Sequence, residues 1–111
     1  MNGPRRVLVT GAASGIGLAI ARAFLNRGDA VLLADRDPRV HAIADELRSQ
    51  GQEAQSQQAD LANPAETAAL ARAMLTRLGG CDVLVNNAGI SPKRRSRASR
   101  ATTSARAAST S

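Results

Sequence analysis

Thr10-Gly-Ala-Ala-Ser-Gly-Ile-Gly17 constrains this chain more than any other stretch. It follows the apolar run Val7-Leu8-Val9 and opens into a helical pattern from Leu18 to Arg27. A strand that turns on glycines into a helix is a phosphate-binding device, because the helix N-terminus carries free N–H groups and the positive end of the macrodipole. In this reading Gly11 takes the tight turn, Gly15 lets the backbone approach the phosphates, and Gly17 lets the helix lie near the strand. The spacing G-x-x-x-G-x-G differs from the more widespread G-x-G-x-x-G fingerprint, and an ordinary glycine-rich turn is the plain alternative.

The residues after the turn alternate between two patterns. Gly28 closes the first helix, and Ala30 to Ala34 is a continuous apolar run, as in a parallel strand buried on both faces. Asp37 and Pro38 start a second helix, whose Val40, Ile43, Ala44 and Leu47 fall on one stripe before Gly51 ends it. Glu53 to Ala59 is too polar for a central strand and is expected at a sheet edge. Asn63-Pro64-Ala65-Glu66 reads as a capping box, and the third helix it opens runs to about Leu78, with Leu70, Met74 and Leu78 on one side. Gly79-Gly80 stops it, and Asp82 to Val85 is a fourth strand. The order β-α-β-α-β-α-β predicts an α/β fold with a four-stranded parallel sheet, strand order 3-2-1-4 and three helices, two on one face and one on the other. Ligands of such sheets bind at the carboxyl ends of the strands, here between strands 1 and 4.

Charge divides the chain in two. All nine acids lie within residues 1–90 and are balanced there by arginines, so the net charge of +6 belongs to residues 91–111, which contain Lys93, Arg94, Arg95, Arg97, Arg100 and Arg106. That tail has no Val, Leu, Ile, Met or Phe and is expected to be disordered. Residues 1–90 form the expected domain. No apolar run is long enough for a signal core or a membrane span. Cys81 is the one cysteine, so no internal disulfide forms and a reducing, cytoplasmic setting is expected. Cys81 itself reads as a small apolar residue and His41, the one histidine, as a surface residue.

Further candidates flank the glycine turn in space. Asp35, at the end of the second strand, can accept hydrogen bonds from both adenosine ribose hydroxyls and repels a 2′-phosphate, which favours NAD over NADP; capping the helix at Asp37-Pro38 is its alternative role. Arg36 can stack on adenine or meet a 2′-phosphate. Asp60 can accept from an adenine amino group and Leu61 can line the adenine slot, although Asp60 serves equally as a turn residue before Asn63. Asn86-Asn87-Ala88-Gly89 follows the last strand, where two amides can tie strand ends together and Gly89 allows close backbone approach; a generic Asn-Gly turn is the alternative.

Taken together these motifs resemble the short-chain dehydrogenase/reductase family over residues 5 to about 92. Thr10 to Gly17 is similar to its T-G-x-x-x-G-x-G motif, Asp35 to its acid after strand two, Asp60-Leu61 to its adenine-pocket pair, and Asn86 to Gly89 to its N-N-A-G motif. The resemblance implies the cofactor half of a Rossmann fold. It places Ser14, Gly15 and Ile16 at the pyrophosphate and Asp35 at the ribose, and has Asn87 help hold the central strands and border the cofactor.

Family members are usually more than twice as long, and their catalysis needs a Ser together with Tyr-x-x-x-Lys. This chain has no Tyr, and its one Lys, Lys93, lies in the tail. The expectation is therefore an NAD-dependent oxidoreductase truncated after its cofactor half and inactive alone, since no general acid is present. The abrupt change of composition is what a reading-frame shift between Ser91 and Arg97 produces; translating the other frames beyond codon 90 tests it. Two alternatives stand beside this reading. One is a non-catalytic dinucleotide-binding or regulatory module. The other is weak nucleic-acid binding through the basic tail, which lacks aromatic residues for stacking. The fourth strand, with Val83, Leu84 and Val85, is expected to be an open edge that invites self-association.

Overall fold

The computed structural model describes residues 3–87. The first strand, β1, is Arg6–Thr10, followed by helix α1 (Gly15–Asn26), strand β2 (Ala30–Asp35), helix α2 (Arg39–Ser49) and strand β3 (Ala54–Gln58). Helix α3 (Pro64–Ala73) passes into a π turn (Met74–Leu78), and strand β4 is Val83–Asn86. All pairings are parallel and the sheet order is β3-β2-β1-β4, as the alternation predicts. The expectations for residues 88–111, including Ala88, Gly89 and the basic tail with its nucleic-acid reading, lie outside the described residues.

Alternate strand residues feed two cores. Val7, Val9, Val31, Leu33 and Val85 point to the face covered by α1 and α2, where Ala21, Leu25, Val40, Ala44 and Leu47 meet them. Leu8, Leu32 and Ala34 point to the opposite face, under Leu70, Ala73 and Met74. Leu32 and Leu33 are both fully buried although they are neighbours in sequence. That is possible only in a strand covered on both faces, and each side chain contributes about 1.5–3 kcal/mol by leaving water.

Helix starts depart from expectation in instructive ways. Helix α1 begins at Gly15, three residues before the apolar periodicity does, because the glycine turn supplies its first turn. At α2, Asp37 Oδ1 accepts from the Arg39 N–H at 2.9 Å, so the expected acid–proline start is in place. At α3, Asn63 Oδ1 accepts from the Ala65 N–H at 2.9 Å with Pro64 in the first turn. The expected reciprocal bond from Glu66 to the Asn63 N–H is not made. The Asn63 N–H donates to the Asp60 carbonyl instead, and Glu66 Oε1 accepts from the Asp60 N–H at 2.7 Å. The tight turn at 60–63 satisfies Asn63 internally and leaves Glu66 free to reach further back. The third helix does reach Leu78, but its last turn widens to π geometry and ends at Gly79 in the left-handed region.

Two carboxylates pin the amino ends of the strands. Asp82 accepts from the Arg6 N–H, Nε and Nη2, each at 2.8 Å, joining β1 to the start of β4. The Arg6 side chain and backbone N–H together hold Asp82 down at about pKa 2. Asp29, buried, accepts from the Arg5 N–H at 2.9 Å.

Candidate functional site

The carboxyl ends of β1, β2 and β4 meet around the glycine turn. The turn is anchored from three directions. The Ala12 N–H donates to the Ala34 carbonyl at 3.1 Å. The Ala13 N–H donates to Asp35 Oδ2 at 2.9 Å. From β4, Asn87 Nδ2 donates to the Gly11 carbonyl at 3.2 Å. Ala12 and Ala13 are buried, so the first two variable positions of the motif are small for a packing reason that the glycine spacing does not announce.

The first turn of α1 is open toward solvent. Ser14, its N-cap, makes no side-chain cap, and no acid occupies the first turn. Ser14 and Gly15 are exposed, and Ile16 is 61% exposed, an unusual position for so apolar a residue. Gly15 has φ +58, and a Cβ there would meet nothing within 4 Å. Its requirement is the left-handed backbone at the entry to α1. Gly17 differs: a Cβ there would stand 2.0 Å from the Gly11 carbonyl oxygen and 2.6 Å from Asn87 Nδ2. The missing side chain lets α1 sit against the end of β1. The result is a helix N-terminus with unclaimed donors and a positive dipole end, the arrangement that receives a phosphate group.

Each remaining candidate has a definite place. Thr10 is buried at the end of β1, and its Oγ1 donates to Asn86 Oδ1 at 3.1 Å. Asn86 is otherwise exposed, whereas Asn87 is half-buried and its Oδ1 is buried without a hydrogen-bond partner. The same amide's Nδ2 holds the Gly11 carbonyl, so the orphaned oxygen belongs to the junction of β4 with the glycine turn. Asp35 is half-buried; its Oδ1 also accepts from the Asp37 N–H at 2.9 Å. Both of its oxygens are thus oriented by backbone donors, and each keeps a lone pair. Asp35 closes a local turn onto Asp37 and does not cap α2, whose first N–H is taken by Asp37.

Arg36 is exposed beside it, and its carbonyl accepts from Gln58 Nε2 at 3.0 Å. Asp60 makes the local turn, its Oδ1 accepting from the Ala62 N–H at 3.0 Å. Arg36 and Asp60 line one open hollow of about 390 Å³ with Gln58 and Glu66. Leu61 is half-buried against the apolar cluster under α3. Glu66 is the residue at this hollow that motif reasoning missed; its sequence signal was spent on the capping box. Asp37 is held below the usual carboxylate range by the Arg39 backbone N–H and guanidinium.

The two residues set aside from the sequence stay outside the site. His41 is exposed on α2, with its Nδ1 2.8 Å from Ser56 Oγ. Cys81 is half-buried, burial pushes its thiol pKa up, and its Sγ lies 3.4 Å from the Val83 carbonyl. Among the described residues no cluster of His, Cys, Asp and Glu forms a metal site, and no helix is long and apolar enough to cross a membrane.

Comparison with known proteins agrees with this geometry. A family model described as short chain dehydrogenase matches residues 5–109, reaching further than the motifs themselves. The oxidoreductase UcpA of Escherichia coli K12 is 40% identical over 86 residues, covering 78% of this chain and 33% of that protein. A metagenomic short-chain oxidoreductase solved in complex with NADP is 43% identical with a TM-score of 0.72, covering 79% of this chain and 40% of that one. L-sorbose reductase from Gluconobacter frateurii, solved with NADPH and L-sorbose, is 36% identical with a TM-score of 0.74, covering 79% of this chain and 34% of that one. The chain spans about a third of the length of the curated relatives it matches.

Proposed function

The chain belongs to the short chain dehydrogenase family, a family of nicotinamide-dependent oxidoreductases, and from that premise we propose that its glycine turn and the adjoining strand ends bind the cofactor, NAD in preference to NADP. The observation that carries the proposal is the uncapped, acid-free start of α1 with Gly15 at φ +58. The residues present fit such a group: Ser14, Gly15 and Ile16 are exposed at a helix start that no side-chain cap or acid occupies, and Asn87 Oδ1 is a buried acceptor without a partner.

In this reading Thr10 and Gly11 shape the turn, and Ser14, Gly15, Ile16 and Gly17 present N–H groups to the pyrophosphate. Asp35 accepts from the adenosine ribose, and its charge opposes a 2′-phosphate. Arg36, Asp60 and Leu61 border the adenine, while Asn86 and Asn87 hold β4 against the turn and border the nicotinamide half. Ala88 and Gly89 extend the same motif by sequence. Two solved relatives are named with NADP or NADPH; the preference for NAD here rests on Asp35 alone.

The nicotinamide, when bound, supplies or accepts a hydride. The chain's own residues bind and orient it and shield its pyrophosphate. They include no tyrosine, so the proton transfer that the family resemblance assigns to Tyr has no donor. Cofactor binding without turnover by this 111-residue chain is the reading that follows, within a longer-chain activity of alcohol–carbonyl oxidoreduction. A reducing cytoplasm, with Cys81 unpaired, is the setting proposed.

Titrating the chain with NADH and with NADPH, followed by nucleotide fluorescence, tests the proposal. Saturable binding of NADH, tighter than that of NADPH, is expected. No saturable binding of either nucleotide would remove the cradle reading, and tighter NADPH binding would remove the NAD preference alone.

A further inference from the structure

Among the described residues strand β3 is a sheet edge, with no charge and no proline of its own: its five residues are Ala-Gln-Ser-Gln-Gln. Edges are normally blunted by charged side chains, proline or bulges within the strand, and uncharged glutamine-rich strands pair readily. The parallel ladder fixes which backbone groups point outward. The Val31 N–H donates to the Glu53 carbonyl and the Ala59 N–H to the Asp35 carbonyl. With the register Val31–Ala54 to Asp35–Gln58, residues 53, 55, 57 and 59 turn their backbone groups to β2. Ala54, Ser56 and Gln58 turn theirs away from the sheet.

Two outward carbonyls on this edge are already occupied. Arg48 Nη1 donates to the Ala54 carbonyl at 2.8 Å. Arg77 Nη1 donates to the Ser56 carbonyl at 3.1 Å. The two arginines come from opposite faces of the sheet, Arg48 from α2 and Arg77 from the π turn. Each is held in place by a further contact: Arg48 Nη2 with Asp45, and Arg77 Nε with Gln55 Oε1 at 2.8 Å.

We propose that Arg48 and Arg77 close the β3 edge against a strand from a second copy of this chain. An incoming strand must donate to the Ala54 and Ser56 carbonyls, where it competes with charge-assisted bonds that are stronger than neutral ones. A symmetric β3–β3 pairing also brings the arginines of one copy toward those of the other, and like charges at an interface oppose it. The protection that the strand lacks is thus supplied by its neighbours in space. This inference does not depend on the dinucleotide reading.

The test compares the 111-residue chain with R48M/R77M, which keeps apolar side chains of substantial length and removes the donors. Sedimentation gives the weight-average mass against concentration, and hydrogen exchange reads the outward amides of Ser56 and Gln58. At a concentration at which the unaltered chain is monomeric, the variant is expected to rise toward about twofold that mass, the ratio for a symmetric pair, with those two amides becoming protected. Equal mass and equal exchange in the two proteins would overturn the proposal. So would association that leaves Ser56 and Gln58 unprotected, since another surface would then be responsible. Should the double variant lose its circular-dichroism signature, R77M alone, with Arg48 retained at Ala54, is read by the same criteria.

Discussion

The Asp35 carboxylate accepts a hydrogen bond from the Ala13 N–H at 2.9 Å, so the acid proposed to read the ribose also fastens the glycine turn to β2. The two roles separate by substitution. Asp35→Asn removes the charge and keeps an acceptor for only one of the Ala13 and Asp37 N–H groups; NADPH affinity is expected to gain about tenfold relative to NADH, or ~1.4 kcal/mol. Asp35→Ala leaves a buried N–H unpaired and is expected to cost about 1–3 kcal/mol of stability as well. Nucleotide titration and urea unfolding of both variants check this, and an unchanged NADPH-to-NADH ratio in D35N counts against the ribose role.

Gly17→Ala places a methyl 2.0 Å from a backbone oxygen. Backbone cannot yield as a side-chain tip does, so α1 must move away from β1. A loss of at least about 1–3 kcal/mol is expected, as for an overpacked core. A urea midpoint like that of the unaltered chain would show that the seat is looser than its geometry.

Gly15→Ala meets open space and loses only backbone freedom. The left-handed conformation costs a non-glycine residue about 1–2 kcal/mol, so G15A is expected to be milder than G17A. Gly15→Asn is expected to fall between G15A and the unaltered chain, because asparagine tolerates this region better. The same unfolding series orders the three variants.

Asp82 sets an acid limit. Its pKa falls from 3.8 to about 2 because Arg6 donates to it, so the folded state binds its proton less readily than the unfolded state. The stabilisation is complete above about pH 4 and is lost as pH falls toward about 2. Solvent screening of this partly exposed pair leaves ~1 kcal/mol. Asp82→Asn is expected to lose that amount at neutral pH and to flatten the stability curve between those limits; a D82N curve parallel to the unaltered one would show that other carboxylates set the limit.

Strand β4 ends the sheet among the described residues, with Val83 and Leu84 half-buried. Unlike β3, it has no arginine on its outward carbonyls among the described residues. Self-association of the chain through this edge is expected, with mass rising with concentration as the outward Leu84 and Asn86 amides become protected. A constant monomer mass, or protection confined to other strands, would exclude it.

Much of this architecture is legible locally. The apolar runs at Val7 and Ala30, the helix stops at Gly28, Gly51 and Gly79, and the polar edge at Gln55 to Gln58 each follow from short-range physics, and together they yield the strand order. The site is only partly legible. Gly17 was readable because helix–strand packing recurs at that spacing. The bond from Ala13 to Asp35 spans 22 residues and no local pattern announces it; that from Asn87 to Gly11 spans 76, and the amide pair announces a tie between strand ends but not the carbonyl it meets. Glu66 was misassigned because a capping box is a sequence pattern, whereas the donor it meets depends on how the turn at Asp60 resolves its own hydrogen bonds. Arg48 and Arg77 were invisible for the same reason: guarding an edge is a relation between elements, and neither residue carries a motif.

The contact between Asn87 and Gly11 has a consequence for the order of events in folding. It closes a loop across 76 residues, and contacts of such separation form slowly because chain entropy is lost before they reward it. The glycine turn can form early, from neighbouring residues, yet remain a bare loop until β4 arrives. A nascent chain that has not yet emitted residue 83 carries the whole fingerprint and no cradle. Nucleotide affinity would therefore serve as a clock for the arrival of β4 during refolding.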